Sequence, residues 1–335
     1  MKIFIKRVFT SAKFRFNRAK NQFVRMALCF GLSLKPTRYW INKSYNNLKS
    51  KDKSIFHAKH WDLYRRDAVA SWSGRWWLRV NKRIVYLPLS AKRMWLDWDH
   101  GISILGHDME IKNFYSNLLR SQEAPEVFFD VGANYGTHSL LFLCLGVPSV
   151  TFEPNSSCHP VFNEMCDLNN VTPDLQHVAI AALEGDLELK YPEKFTWLGS
   201  VKADVCQELG SNYKLISEHV RACPLDFYFS RIEGKKALIK IDTEGNELEV
   251  FKGSSRILSE ARPVIVFESN LDNKDRCEIA DVLHNHCYDI FDLRIDAPPS
   301  KLDKHEFDES KETNFAAWPM ERPMLEDYNS KDCFH

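Results

Sequence analysis

VFFDVGANYG, residues 127–136, is the stretch on which the reading of this chain turns. An unbroken apolar run leads into Asp130 and Val131, two glycines bracket Ala133-Asn134-Tyr135, and a second apolar run, THSLLFLCLG, follows. The first run suits a parallel strand buried on both faces. The second reads as a helix closed by Gly146 and Pro148. The bracketed segment is therefore a tight strand-to-helix turn, and its neighbourhood repeats the pattern.

Downstream, SVTFEP (Ser149–Pro154) reads as a second strand, and SSCHPVFNEMCDLNN as a second helix with Ser156 or Ser157 at its N-cap. LQHVAI, ALIKID (Ala237–Asp242) and PVIVFES (Pro263–Ser269) read as three more strands, the last two followed by helical stretches. Such alternation predicts an open, doubly wound, mostly parallel α/β sheet. Some fifty residues between the third and fourth strands, including LELKYPEKFTWLGSV, exceed a simple crossover and predict added structure near the site.

In a doubly wound sheet, ligands bind outside the carboxyl ends of the strands. Gly132 and Gly136 would let a ligand lie against bare backbone, and the following helix would offer its free N–H groups to an anionic group. Asp130 is placed to receive an ammonium group. Glu153, with Pro154 ending the strand behind it, lies about 20 positions past the turn, where an acid can accept from a ribose diol. A nucleoside carrying an anionic or zwitterionic group fits, which leaves nicotinamide dinucleotides and S-adenosylmethionine. The dinucleotide pattern G-x-G-x-x-G wants a glycine two positions after the first, and here Asn134 stands there. A methionine zwitterion asks less of the loop than a pyrophosphate does, so S-adenosylmethionine fits better.

FDVGANYGTHS (Phe129–Ser139), FEPNSS (Phe152–Ser157), Leu225–Asp226, IKIDTEGNELEVFKG (Ile239–Gly253) and PVIVFES resemble, in that order, the FkbM-type methyltransferases. The resemblance covers about residues 110–290. It implies the class I methyltransferase fold, a seven-stranded sheet with its last strand antiparallel, and S-adenosylmethionine as cofactor. It also implies O-methylation of a hydroxyl on a sugar, glycan or other secondary metabolite. By the same resemblance Asp130, Gly132, Ala133, Asn134, Tyr135 and Gly136 surround the methionine part, and Glu153 holds the ribose hydroxyls. Val178, Ala179, Ile180 and Ala181 neighbour the base. Thr243 and Asn246 depart from the valine and alanine common in the family, on the acceptor side.

A sugar hydroxyl is a weak acid, so its methylation gains from a general base. Asp242 and Glu244 follow the fourth strand at the same sheet edge as Gly132 and are the candidates. Glu244 and Glu247 also lie where a helix begins, a position that favours acids with no catalytic duty. Glu268 ends the fifth strand as a pocket wall or a structural acid. His107, ahead of the first strand, could approach as a base. HNHC (His284–Cys287) has ligand-type residues but no partner pair at zinc spacing, and no Mg²⁺-type acidic cluster is evident, so no metal is expected.

The 335 residues, 44% of them hydrophobic, suffice for one such domain plus additions. Four zones are expected: a basic arm at 1–54 with a break at KPTRYW, a Trp-rich cap at 55–109, the catalytic domain at 110–295, and an acidic tail at 296–335. The net charge of zero hides an imbalance, because residues 1–53 hold fourteen Lys and Arg against the single acid Asp52. Such an arm points either to a solvated helix on its own domain or to peripheral contact with an anionic membrane. An organellar transit peptide is also compatible with it. Six of the nine tryptophans fall between residues 55 and 100, where RWWLRVNKRIVYLPLS (Arg75–Ser90) reads as a hairpin, and they form a lid, an acceptor pocket or a small core. MALCFGLSL (Met26–Leu34) is too short to span a bilayer, and nine scattered cysteines without C-x-x-C fit a reducing, cytoplasmic setting. No specific nucleic-acid partner is predicted. Two readings stay open beside methyl transfer: a nicotinamide-dependent oxidoreductase, and a non-catalytic nucleoside-binding or membrane-docked module on the same fold.

Overall fold

The computed structural model describes residues 34–55, 73–80, 83–90, 107–193, 196–270, 274–325 and 328. The chain divides into two compact units, Met1–Arg79 with Tyr86–Met109, and Val80–Val85 with Glu110–His335. The expected arm and cap thus share one unit, and the expected tail is no separate zone.

In the first unit KPTRYW starts a helix: α1 spans Lys35–Asn46 with Pro36 in its first turn, where a missing N–H costs nothing. β1 (Ser73–Val80) and β2 (Arg83–Ser90) form the expected hairpin. The remainder of the Trp-rich zone, and the arm up to residue 33, lie outside the described residues.

The second unit carries the sheet. After α2 (Met109–Leu118) the chain forms β3 (Val127–Val131), α3 (Thr137–Leu145), β4 (Ser149–Phe152), α4 (His159–Asn169) and β5 (Asp174–Gln176). Three further strands build a small second sheet, β6 (Ala179–Ile180), β7 (Gly185–Pro192) and β8 (Leu215–Cys223), with α5 (Ala203–Asn212) between the last two. The main sheet resumes with β9 (Ala237–Ile241), α6 (Glu247–Lys252), β10 (Val264–Glu268), α7 (Arg276–Asn285) and β11 (Tyr288–Asp292). It ends with β12 (Ser300–Leu302), α8 (Lys304–Glu309) and β13 (Asn314–Pro319).

Strand order in the main sheet is β12-β11-β13-β10-β9-β3-β4-β5. From β10 to β5 the neighbours run parallel, whereas β13 is antiparallel to both β10 and β11. The seven implied strands are joined by an eighth, the three-residue edge strand β12. The order reverses at β3, which lies between β4 and β9, so the crevice at its carboxyl end is the ligand position of a doubly wound sheet.

β3 is buried on both faces because its side chains meet aromatics on each. Phe128 stacks on Phe142 of α3 with centroids 4.1 Å apart, and Phe129 meets Phe152 edge-on at 5.3 Å. Burying each such ring contributes about 1.5–3 kcal/mol. LQHVAI is not one strand: Val178 N–H turns back to the Gln176 carbonyl at 3.0 Å, so β5 stays in the main sheet and β6 starts the second. Nor does a serine side chain cap α4. Cys158 holds the N-cap, and Ser157 donates instead to Asn155 Oδ1, from N–H at 3.0 Å and from Oγ at 2.6 Å.

Within the expected acidic tail, the run Asn314–Pro319 is part of the core. Every residue of β13 is buried, and the strand sits inside the sheet between β10 and β11. Arg276, fully buried, gathers the preceding segment by donating to the carbonyls of Phe307 (3.0 Å), Ser310 (2.7 Å), Glu312 (2.9 Å) and Ser269.

Candidate functional site

The crevice at the carboxyl ends of β3, β4 and β9 is a cleft of about 720 Å³. Gly132, Asn134, Glu153, Pro154, Val178, Ala179, Ile180, Asp242 and Glu244 line it, together with Asn155, Thr243 and Asn246. One wall comes from the insertion, through Leu189, Thr196 and Gly199–Val201. Asp130, Ala133, Tyr135, Gly136 and Ala181, also expected here, are not among the lining residues. The Tyr135 hydroxyl lies 3.1 Å from Thr196 Oγ1, so this ring steadies the wall.

The glycine turn is also required by the fold itself. A Cβ on Gly132 (φ +77°) would lie 1.9 Å from the Asp242 carbonyl oxygen, and one on Gly136 (φ +65°) would lie 2.3 Å from the Phe162 ring. Their bare backbone admits the protein's own chain, and a left-handed φ adds its own preference for glycine. Asp130 also serves the turn, although its Oδ1 has no hydrogen-bond partner among the described residues. It is fully buried, and its Oδ2 accepts from Ser139 N–H (3.0 Å) and Oγ (2.9 Å) in the first turn of α3. The anion that this helix end attracts is thus an internal carboxylate, which fixes the turn.

Glu153 is the buried acid of the cleft. Its Oε2 accepts from Asn134 N–H at 2.6 Å and its Oε1 from Asn155 N–H at 2.7 Å. Burial pushes its pKa up to about 8, against the pull of those two N–H groups. Beside it, the Asn155 amide is 2% exposed; its Oδ1 is committed to Ser157, and its Nδ2 has no hydrogen-bond partner among the described residues. A buried donor without a partner costs about 1–3 kcal/mol. A carboxylate with lone pairs to spare next to an unsatisfied amide donor fits a ligand that offers both hydroxyls and acceptor atoms, as a nucleoside does. Val178, Ala179 and Ile180 add an apolar wall suited to a base. The insertion is pinned over the loop: Thr196 Oγ1 and Cys158 Sγ both donate to Asn134 Oδ1, at 3.2 and 3.1 Å.

The acid side is denser than the sequence suggests. Carboxylate oxygens of Asp242, Glu244 and Glu268 gather within 4.8 Å of one another, a cluster of the kind the sequence did not reveal. The buried Lys240 ammonium pairs with Asp242 Oδ2 at 2.8 Å. Burial and then the charges of Asp242 and Glu247 hold the Glu244 pKa well above the carboxylate range. Glu247 is structural, because its Oε1 accepts from Thr243 N–H and Oγ1 (both 2.9 Å) and Gly245 N–H (3.0 Å). Asn246, a departure from the family pattern, donates to the Ile180 carbonyl at 3.1 Å and so ties the start of α6 to the base-side strand.

His107 belongs to the first unit, is 61% exposed and pairs with Asp108 at 2.8 Å; it is not among the residues lining the cleft. In HNHC, His286 spends Nδ1 on the Val282 carbonyl at 2.8 Å and has Ser255 Oγ 3.2 Å from Nε2. Sequence reasoning missed Thr196, Ser200 and Val201, whose only signal was the length of the insertion, and Asn155, whose only signal was its place beside Glu153.

Comparison with known proteins matches residues 130–293 to the methyltransferase FkbM domain. The hexuronic acid methyltransferase AglP of Haloferax volcanii is 31% identical over 160 residues, which cover 47% of this chain and 62% of that protein. The crystal structure of methyltransferase FkbM from Methylobacillus flagellatus aligns at TM-score 0.38 and 14% identity, over 66% of this chain and 54% of that one. A SAM-dependent methyltransferase from Agrobacterium tumefaciens aligns at TM-score 0.38 and 9% identity, over 76% and 72%. The match thus spans about three-fifths of the curated relative's length. The region that builds the cleft lies within residues 130–293, the part of the chain that matches the methyltransferase FkbM domain.

Proposed function

We propose that this protein is an O-methyltransferase that takes a methyl group from S-adenosylmethionine to a hydroxyl of a sugar, glycan or related metabolite. The observation that carries the reading is the division of one cleft into two chemistries. Glu153 and Asn155, with Val178–Ile180, make a nucleoside-shaped end, and Asp242 with Glu244 make an acidic end. The resemblance to a hexuronic acid methyltransferase supports a sugar acceptor.

S-adenosylmethionine, when bound, supplies a methyl group on a cationic sulfur, already activated for displacement. Glu153 would accept from the ribose hydroxyls and Asn155 Nδ2 would donate to an acceptor atom of the same ligand. The wall from Thr196 to Val201 excludes water from the reacting pair. Glu244 takes the proton of the acceptor hydroxyl as the oxygen–methyl bond forms. Its raised pKa makes the ionised form a stronger base than an exposed carboxylate while leaving less of it ionised near neutral pH, and the Lys240 partner keeps Asp242 in place beside it. A positioned base of this kind accelerates transfer about 10²–10⁴-fold.

The test is transfer of radiolabelled methyl groups to neutral and uronate-bearing oligosaccharides, followed by treatment of the product with alkali. A methyl ether survives alkali, and that is the expected product. A label released by alkali would mean esterification of a carboxylate and would contradict transfer to a hydroxyl.

A further inference from the structure

The first unit carries a feature that methyl transfer does not use. Helix α1 contains Lys35, Arg38 and Lys43 and no acid. Its C-terminal end is anchored by Tyr45, 4% exposed, and by Asn46, which donates to the Trp77 carbonyl at 3.2 Å and accepts from Arg79 N–H at 2.9 Å. Asn46 thus ties the helix end to β1. At 100° per residue, Tyr39, Trp40 and Lys43 fall roughly 120–160° round the helix from Tyr45. They face outward: Trp40 is 61% and Tyr39 53% exposed, and Leu34, at the N-cap, is 48% exposed. The two rings meet edge-on with centroids 6.0 Å apart, and Lys43 Nζ stands 5.3 Å from the Trp40 ring centre.

Exposed large aromatics need a reason, and tryptophan and tyrosine beside lysines are the side chains that settle at the boundary between lipid headgroups and acyl chains. Charge selects the lipid. Residues 1–53 carry fourteen Lys and Arg against one acid, which complements an anionic leaflet. A single-stranded polyanion such as RNA would take the charge and stack bases on the outward rings, but it leaves the exposed aliphatic Leu34 without a role.

We infer that the outward face of α1 docks this protein on an anionic bilayer, with Trp40 and Tyr39 at the headgroup boundary and the basic residues against lipid phosphates. This holds independently of which acceptor is methylated. The experiment is flotation of the full chain with vesicles of phosphatidylcholine and phosphatidylglycerol, against phosphatidylcholine alone. Flotation with the anionic vesicles only is expected, weakening severalfold when salt rises from about 0.1 to about 0.5 M. The double variant Tyr39→Ala/Trp40→Ala should lose about tenfold or more in partitioning. Because both side chains are exposed, its melting temperature should match the wild type, and Lys43→Glu offers a second variant with the same expected direction. No flotation with anionic vesicles, or equal partitioning of double variant and wild type, would overturn the inference. So would binding to a single-stranded oligonucleotide that both variants retain while neither they nor the wild type float.

Discussion

Glu153 combines two demands at one side chain. Two backbone N–H groups hold its oxygens in the cleft, yet burial pushes its pKa to about 8. A ribose diol donates to the ionised form, so binding must drive a proton off whenever the pH lies below that value. Affinity for S-adenosylhomocysteine should therefore rise up to about tenfold per pH unit as pH climbs toward 8, and then level off. Calorimetry across pH 6–9 checks it, and a flat profile in the wild type would separate Glu153 from the ligand. Linkage to stability runs the other way. The folded pKa lies above the ordinary 4.5, so this group's contribution without ligand is complete below that value and is lost as pH rises toward 8. Glu244 makes a separate prediction: Glu244→Gln should lower kcat by about 10²-fold or more and leave S-adenosylhomocysteine affinity within about threefold. A variant that lost both equally would make Glu244 a binding residue. Spacing alone pointed to Glu153, since an acid about 20 residues past the turn is a local signal. Asn155 and the Glu268 member of the acidic cluster could not be read so, because what matters there is an unsatisfied atom and a meeting of separate strands.

At the scale of elements, the turn between β3 and α3 is stiff because it is packed from inside. Gly132→Ala would set a Cβ 1.9 Å from the Asp242 carbonyl oxygen at a left-handed φ. It should destabilise the fold by at least ~2 kcal/mol, read as a lower denaturant midpoint. An unchanged midpoint would show that the loop can shift away from β9. The sequence signalled this turn clearly but not its cause: two glycines before a helix look the same whether a ligand or the chain itself needs the space. The third strand shows the opposite failure. LQHVAI has an unbroken β-like pattern, and only the turn at Val178 divides it between two sheets. Apolar patterning reports burial, not which sheet does the burying.

Over the whole molecule, composition misplaced a boundary. Residues 296–335 read as an acidic tail, because the DES and KE charges around residues 308–312 outweigh the apolar NFAAWP that follows. That run is β13, wholly buried between β10 and β11, and the buried Arg276 stitches its approach with donations to several carbonyls. Truncation after residue 295 should therefore yield protein with no cooperative melting transition, and Arg276→Ala should cost on the order of 3 kcal/mol or more from stranded carbonyls. A truncated chain that melts as the full chain does would contradict the assigned topology. The parallel half of the sheet was legible because each strand there is a continuous apolar run ended by a turn. The antiparallel edge was not, since β11 and β12 are short and partly exposed. The cleft lies at the parallel half, and its claim on S-adenosylmethionine underlies the proposed function. Titration calorimetry of the full chain with S-adenosylhomocysteine, beside NAD and beside the Glu153→Ala variant, tests it most directly. One-to-one binding to the wild type, at least about tenfold weaker in the variant and absent with NAD, is the predicted result; no heat with S-adenosylhomocysteine, or equal binding by the variant, would contradict it.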